Sequence, residues 1–192
     1  MSIQQIVNQL IEGNDRFITG KISNRRCGRL QRIALVENQS PFAVILSCAD
    51  SRVVPELIFD VGLGELFVVR VIGNIANAAS IASIEYAITN LNTKLIVVLG
   101  HQNCGAVSAA IDGYHDSVNI MQVINHIAPA VKLQKTKNNL NKISKLNAVY
   151  TALELTKNSK IIKNATDSEK IRILPAFYHL DSGKVKFLEN IN

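Results

Sequence analysis

No stretch of this chain approaches the roughly 18 apolar residues that a membrane-spanning helix requires, so no membrane partner is expected. Its start, Met1-Ser2-Ile3-Gln4-Gln5, has neither a basic segment nor a long apolar core, so no signal peptide is read and the expected compartment is the cytosol. There are only three cysteines. That is too few for a disulfide scaffold, and Cys27 reads as a spare thiol with no disulfide. No low-complexity run, internal repeat or linker divides the sequence. One domain over 1–192 is expected, with an N-terminal helical arm over about 1–35. Aromatic residues make up 5% and do not interleave with the basic ones. Nucleic-acid bases would have nothing to stack on, and no nucleic-acid partner is expected.

What is present is enough to bury a sizeable core: 192 residues, 47% of them hydrophobic. The formal charge of +6 is unevenly placed, because residues 132–170 hold nine Lys, no Arg and three acids. These lysines alternate with Leu140, Ile143, Leu146, Val149, Tyr150 and Leu153 at helical spacing. They read as the solvated face of an amphipathic helix rather than an anionic-partner surface.

Ile3, Ile6, Val7, Leu10 and Ile11 follow i, i+3, i+4, i+7, i+8 and predict an opening amphipathic helix. Gly13 is expected to weaken or end its regular part, and its apolar stripe is expected to need a partner surface. Strands are predicted over 42–47, 66–71 and 95–99. Short helices are expected near Pro55 and from Gly105, and a longer one capped by Asn77 that carries Ile81, Ile84, Ala87, Ile88 and Leu91. Two more helices are expected over 118–157, then a closing hairpin of 171–179 and 185–188 joined by Asp181-Ser182-Gly183. Strand–helix alternation with fully apolar strands predicts an α/β fold: a mostly parallel central sheet flanked by helices.

Two predicted strands run into residues that ligate metals. The first ends at Cys48-Ala49-Asp50-Ser51-Arg52, the third at His101-Gln102-Asn103-Cys104. In an open parallel sheet, ligands bind beyond the carboxyl ends of the strands. Two such ends side by side would bring Cys48, His101 and Cys104 together. Two thiolates and one imidazole suit tetrahedral zinc, one per chain, and leave a fourth position open, as in catalytic rather than structural sites. Asp50, paired with Arg52, is a candidate to accept a hydrogen bond from water in that position or to occupy it. An ordinary helix-start ion pair is the plainer reading of the two.

These motifs resemble the β-class carbonic anhydrases. The likeness runs through Gln39-Ser40-Pro41, Cys48-Ala49-Asp50-Ser51-Arg52, Pro55-Glu56, Gly62-Leu63-Gly64-Glu65-Leu66-Phe67-Val68-Val69-Arg70, Gly73-Asn74, Ser83-Ile84-Glu85-Tyr86-Ala87 and Gly100-His101-Gln102-Asn103-Cys104-Gly105-Ala106. Residues 112–171 look divergent, and Ala49 stands where the family usually has Ser. The resemblance implies reversible hydration of carbon dioxide to bicarbonate and a proton through a zinc-bound hydroxide, with Asp50 and Arg52 as catalytic residues. It implies that Gln39 contacts the substrate, that Phe67, Ile72 and Tyr86 line its apolar pocket, and that the Gly105 N–H meets an anion at the metal. It also implies assembly as a homodimer or tetramer of dimers. Read without it, Gln39 is a turn residue and the three apolar residues are core packing. His115, His126 and His179 read as ordinary surface or core histidines.

Other readings keep parts of this pattern. A hydrolase of carbon disulfide or carbonyl sulfide would use the same metal site on similarly small, linear, electrophilic substrates. A non-enzymatic zinc module would need a closed fourth ligand, and no third Cys or second His stands in register.

Overall fold

The computed structural model describes residues 1–23, 27–113, 117–134 and 139–188. His115, Lys135, Lys137 and part of the basic stretch after Lys21 lie outside the described residues. Five strands form one sheet: β1 (Ala43–Ser47), β2 (Leu66–Arg70), β3 (Leu95–His101), β4 (Arg172–Tyr178) and β5 (Val185–Phe187). Their order is β2-β1-β3-β4-β5. The first four are mutually parallel and β5 pairs antiparallel with β4, closing the predicted hairpin. The α/β expectation of a mostly parallel sheet flanked by helices is met.

Both faces of the sheet are covered, which explains why β1 and β3 read as continuous apolar runs. The pleat sends alternate residues to opposite faces. Ala43, Ile45, Leu95, Val97 and Leu99 pack toward α1 (Ile3–Ile18) and α3 (Pro55–Ile58), with Leu10, Ile58 and Phe59. Val44, Leu46, Ile96 and Val98 pack toward α4 (Ala78–Asn90), α7 (Leu140–Asn158) and α8 (Lys160–Asp167), with Ile84, Ala148, Leu155 and Ile162. A third cluster at the carboxyl end of the strands joins Cys48, Ile75, Cys104, Ala106, Ile127, Ala130 and Ile143. It is roofed by α5 (Gly105–Asp112) and α6 (Val118–Leu133). Between α1 and α3, α2 (Arg29–Ala34) is short and has no buried residue.

The structure corrects three expectations. Much of the N-terminal stripe packs on the chain's own core, where Ile6, Val7 and Leu10 are buried, while Ile11 stays 43% exposed. Gly13 does not end α1, which continues to Ile18. A Cβ at Gly13 would stand 1.9 Å from the Phe59 carbonyl oxygen, so glycine is what lets the helix lie against that backbone. The two helices expected over 118–157 are α6 and α7, and a third not read from the sequence, α8, follows where the Ser159 Oγ accepts the Ile162 N–H at 3.1 Å. On α7 the lysines at 142 and 157 are solvated and Ile143 and Val149 are buried, as expected. The buried face extends further, to Ser144, Asn147, Ala148, Thr151 and Leu155, while Leu153 is half exposed.

Asn14 ties α1 to the hairpin. Its Nδ2 donates to the carbonyls of Ile58 and Gly183, and its Oδ1 accepts the Val185 N–H at 2.8 Å. Gly13→Ala sets a methyl group against a backbone oxygen that side-chain rotation cannot relieve. It should lower unfolding free energy by about 2 kcal/mol or more, read as a lower urea midpoint at unchanged slope.

Candidate metal centre

β1 and β3 run side by side in parallel, with Ser47 opposite Leu99. Cys48 leaves β1 and His101 ends β3 at the same edge of the sheet. Asn103, in the left-handed region at φ 52°, turns the chain back so that Cys104 caps α5. The ligand atoms of Cys48, His101 and Cys104 lie within 4.8 Å of one another. All three residues are buried, His101 completely.

The electrostatics of this group fit a cation. His101 Nδ1 lies 2.8 Å from the Gln102 carbonyl. A carbonyl only accepts, so Nδ1 carries the proton and Nε2 presents its lone pair. That Nε2 is buried with no hydrogen-bond partner among the described residues. Cys48 is drawn below the ordinary thiol value. The Cys104 thiol hydrogen-bonds it, and His101 and the N–H groups of Gly73 and Asp50 add to this against the cost of burial. Cys104 is pushed up by the Cys48 sulfur and by burial. Two thiols this close cannot both ionise without a cation between them. A zinc ion there would meet two thiolates and an imidazole, a donor set that suits it.

Asp50 is held outside that ligand group. Arg52 grips it at both oxygens, Nε to Oδ1 at 2.9 Å and Nη2 to Oδ2 at 2.7 Å. The same guanidinium, foremost by its hydrogen bonds, holds the Asp50 carboxyl well below the usual carboxylate range. Asp50 Oδ2 stands 3.9 Å from His101 Nε2, beyond hydrogen-bond reach but within one ligand's width of it. Arg52 Nη2 also reaches the Asn103 carbonyl at 3.4 Å, linking the two ligand loops.

Two contributors were not legible as site residues in the sequence. Arg70, at the end of β2, donates to the carbonyls of Cys48 at 3.3 Å and Asp50 at 2.7 Å. A lone arginine closing the apolar run Phe67-Val68-Val69 was the available signal. Gly73 sits at φ 74° in a 3-10 turn (Ile72–Asn74), and its N–H donates to Cys48 Sγ at 3.3 Å. A side chain there would press on Ile127 Cδ1 at 2.8 Å.

The expected substrate contacts fall into separate places within one chain. Ile72 and Gly105 line a small apolar hollow of about 150 Å³ with Ala106, Ile120, Val123 and Ile124. Phe67 and Tyr86 face each other with ring centroids 6.4 Å apart. Gln39 is exposed on the segment before β1. Ile72 and Tyr86 are 43% and 50% exposed, so the core-packing reading fails for both. A wide hollow of about 940 Å³ between α1, α7 and α8 lies at the opposite end of the strands and shares no residue with the metal group. Cys27 is free and exposed. His126 is partly buried, and His179 packs edge-on against Phe177 at 5.0 Å.

A buried two-cysteine, one-histidine group at the strand ends of a parallel sheet, with a carboxylate held beside it, has the donor set of a zinc centre with an open position. The family model described as carbonic anhydrase matches residues 43–185. Carbonic anhydrase 2 of Mycobacterium tuberculosis is 38% identical over 189 residues, covering 95% of this chain and 91% of that protein. The carbonic anhydrase of Mycolicibacterium smegmatis is 35% identical over the same length and coverage. Among solved structures, the β-carbonic anhydrase CafA of Aspergillus fumigatus superposes with a TM-score of 0.78 at 21% identity, over 98% of this chain and 92% of that one. Tetrameric β-carbonic anhydrases of Sordaria macrospora give a TM-score of 0.75 at 22% identity, over 96% and 97%. The chain belongs to the carbonic anhydrase family, in its β class, and its cofactor is zinc.

Cys104→Ser leaves one thiolate where the site needs two. Purified variant should hold far less than one zinc per chain by metal analysis while keeping the parent's far-UV circular dichroism. Full zinc occupancy would remove Cys104 from the ligand set.

Proposed function

We propose that this chain catalyses reversible hydration of carbon dioxide to bicarbonate and a proton, on zinc held by Cys48, His101 and Cys104. The observation that carries the reading is the Asp50–Arg52 pair beside the unpartnered His101 Nε2. A structural zinc site has no use for a fixed, ionised acceptor next to an open position.

Bound zinc supplies the Lewis acidity that brings ionisation of a water toward neutral pH. Two thiolates quench more of that charge than imidazoles would, so the neighbouring acceptor gains importance. Asp50 stays ionised because Arg52 holds it so. A carboxylate so weakly basic orients a water by accepting its hydrogen bond and does not store its proton. Arg52 fixes the acceptor and, through Asn103, the spacing of the two ligand loops. The apolar hollow beside Gly105 suits a small uncharged substrate, and the α5 N-terminus suits the anion formed from it.

Stopped-flow hydration of carbon dioxide with metal analysis on the same sample tests this. A fully zinc-loaded protein without hydration activity would refute it. Asp50→Asn and Arg52→Ala should each slow hydration by about tenfold or more with zinc retained. The double variant should be little slower than either, since residues acting as a unit are not additive.

We further infer that the working form is a homodimer or a tetramer of dimers. β2 is an edge strand whose residues Leu66, Phe67, Val68 and Val69 are all only partly buried. Beside it, Tyr86 and Ile72 expose apolar surface. An open apolar edge favours pairing with a second copy. Such an interface would also bring Gln39, Phe67 and Tyr86 toward a metal centre. Tyr86→Arg should shift sedimentation toward the monomer and lower hydration activity together. A parent chain that sediments as a fully active monomer at micromolar concentration would overturn the assembly.

A further inference from the structure

α7 belongs to the stretch that looked divergent in sequence, yet its side-chain amides reach one ligand loop directly and the other through Gly73. Near its start, Asn141 Oδ1 accepts the Asn103 N–H at 3.0 Å. Asn103 is the left-handed residue between His101 and Cys104. Two turns further on, Asn147 Nδ2 donates to the Gly73 carbonyl at 2.9 Å. The N–H of that same Gly73 donates to Cys48 Sγ. Asn141 and Asn147 stand about 120° apart around the helix, and Ile143 packs in the apolar cluster with Cys48 and Cys104.

We propose that Asn141 and Asn147 are positioning residues for the zinc ligands, Asn141 for the His101–Cys104 turn and Asn147 for the Cys48 thiolate through Gly73. The inference rests on the zinc assignment above. Packing alone does not account for Asn147. It is 1% exposed, and its Oδ1 has no partner among the described residues. A buried amide left half satisfied costs free energy, so an apolar residue would suit the core better. What the amide contributes is the donor to Gly73. A thiolate ligand is oriented and its charge moderated by N–H donors, and outer partners of this kind typically change metal affinity 10–100-fold.

The two positions ask for opposite chemistry, which makes the test specific. Position 147 needs a donor, so Asn147→Asp and Asn147→Leu should both fail. Position 141 needs an acceptor, so Asn141→Asp should behave as the parent while Asn141→Leu fails. Failure is read as about tenfold weaker zinc binding in competition with a chromophoric chelator. It is also read as a shifted thiolate-to-metal absorption band in the cobalt-substituted protein. The thermal midpoint of each metal-free variant serves as the folding control. If the leucine variants do not fold, the two aspartate variants carry the contrast alone. Unchanged affinity and spectrum in both Asn147 variants would overturn the proposal for Asn147. Equal losses in Asn141→Asp and Asn141→Leu would overturn it for Asn141. A parent protein with no thiolate-to-cobalt band would refute the zinc assignment itself, before any asparagine is changed.

Discussion

Two buried sulfurs facing each other cannot both be charged without a cation between them. This electrostatic constraint organises the centre. Burial opposes ionisation of each thiol, and one thiolate raises the other. The His101 Nε2, without a hydrogen-bond partner among the described residues, stands in the same ligand group. A divalent ion between the sulfurs removes the repulsion and satisfies the imidazole in one step. Metal affinity at such a site therefore depends on how firmly the three donors are held in place.

That firmness comes from backbone interactions spread over distant segments. Arg70 from β2 holds the Cys48 and Asp50 carbonyls. Arg52 joins the first ligand loop to the second through Asn103. Asn141 and Asn147 approach from α7. Each bond alone is worth about 1 kcal/mol. Together they leave the ligand loops little freedom, which suits a site where an ångström of slack would cost rate. Arg52 also engages Asp50 at both oxygens and so fixes the carboxylate beside His101.

The sheet explains why this loop-built site can be rigid. β1 and β3 are buried on both faces, so their ends are set by a packed core and not by the loops themselves. β2 is different. As an edge strand with partly exposed apolar residues, it leaves Phe67, Tyr86 and Gln39 away from the metal group within a single chain. The exposure of these residues ties the question of assembly to that of the substrate pocket.

Much of the centre was legible in the sequence because its information is local. Cys48 and the pair His101 and Cys104 each follow directly on an apolar run, and Asp50 and Arg52 stand two and four residues past a ligand. Strand type and parallel pairing followed from continuous hydrophobicity, since only a doubly covered sheet buries such strands. Helix packing was less legible. The spacing of apolar residues in α1 showed that it had a stripe to bury but not against what, and Gly13 looked like a breaker until Phe59 was seen against it. On α7 the buried face takes in Ser144, Asn147 and Thr151 beside Ile143, Ala148, Val149 and Leu155, and the apolar spacing does not mark the three polar residues as buried. The sequence alone determined the ligand types, the strand order along the chain and the acid beside the metal. Only the tertiary structure decided which distant backbones those ligands lean on, because a hydrogen bond from Asn147 to Gly73 spans 74 residues and leaves no pattern in the sequence between them.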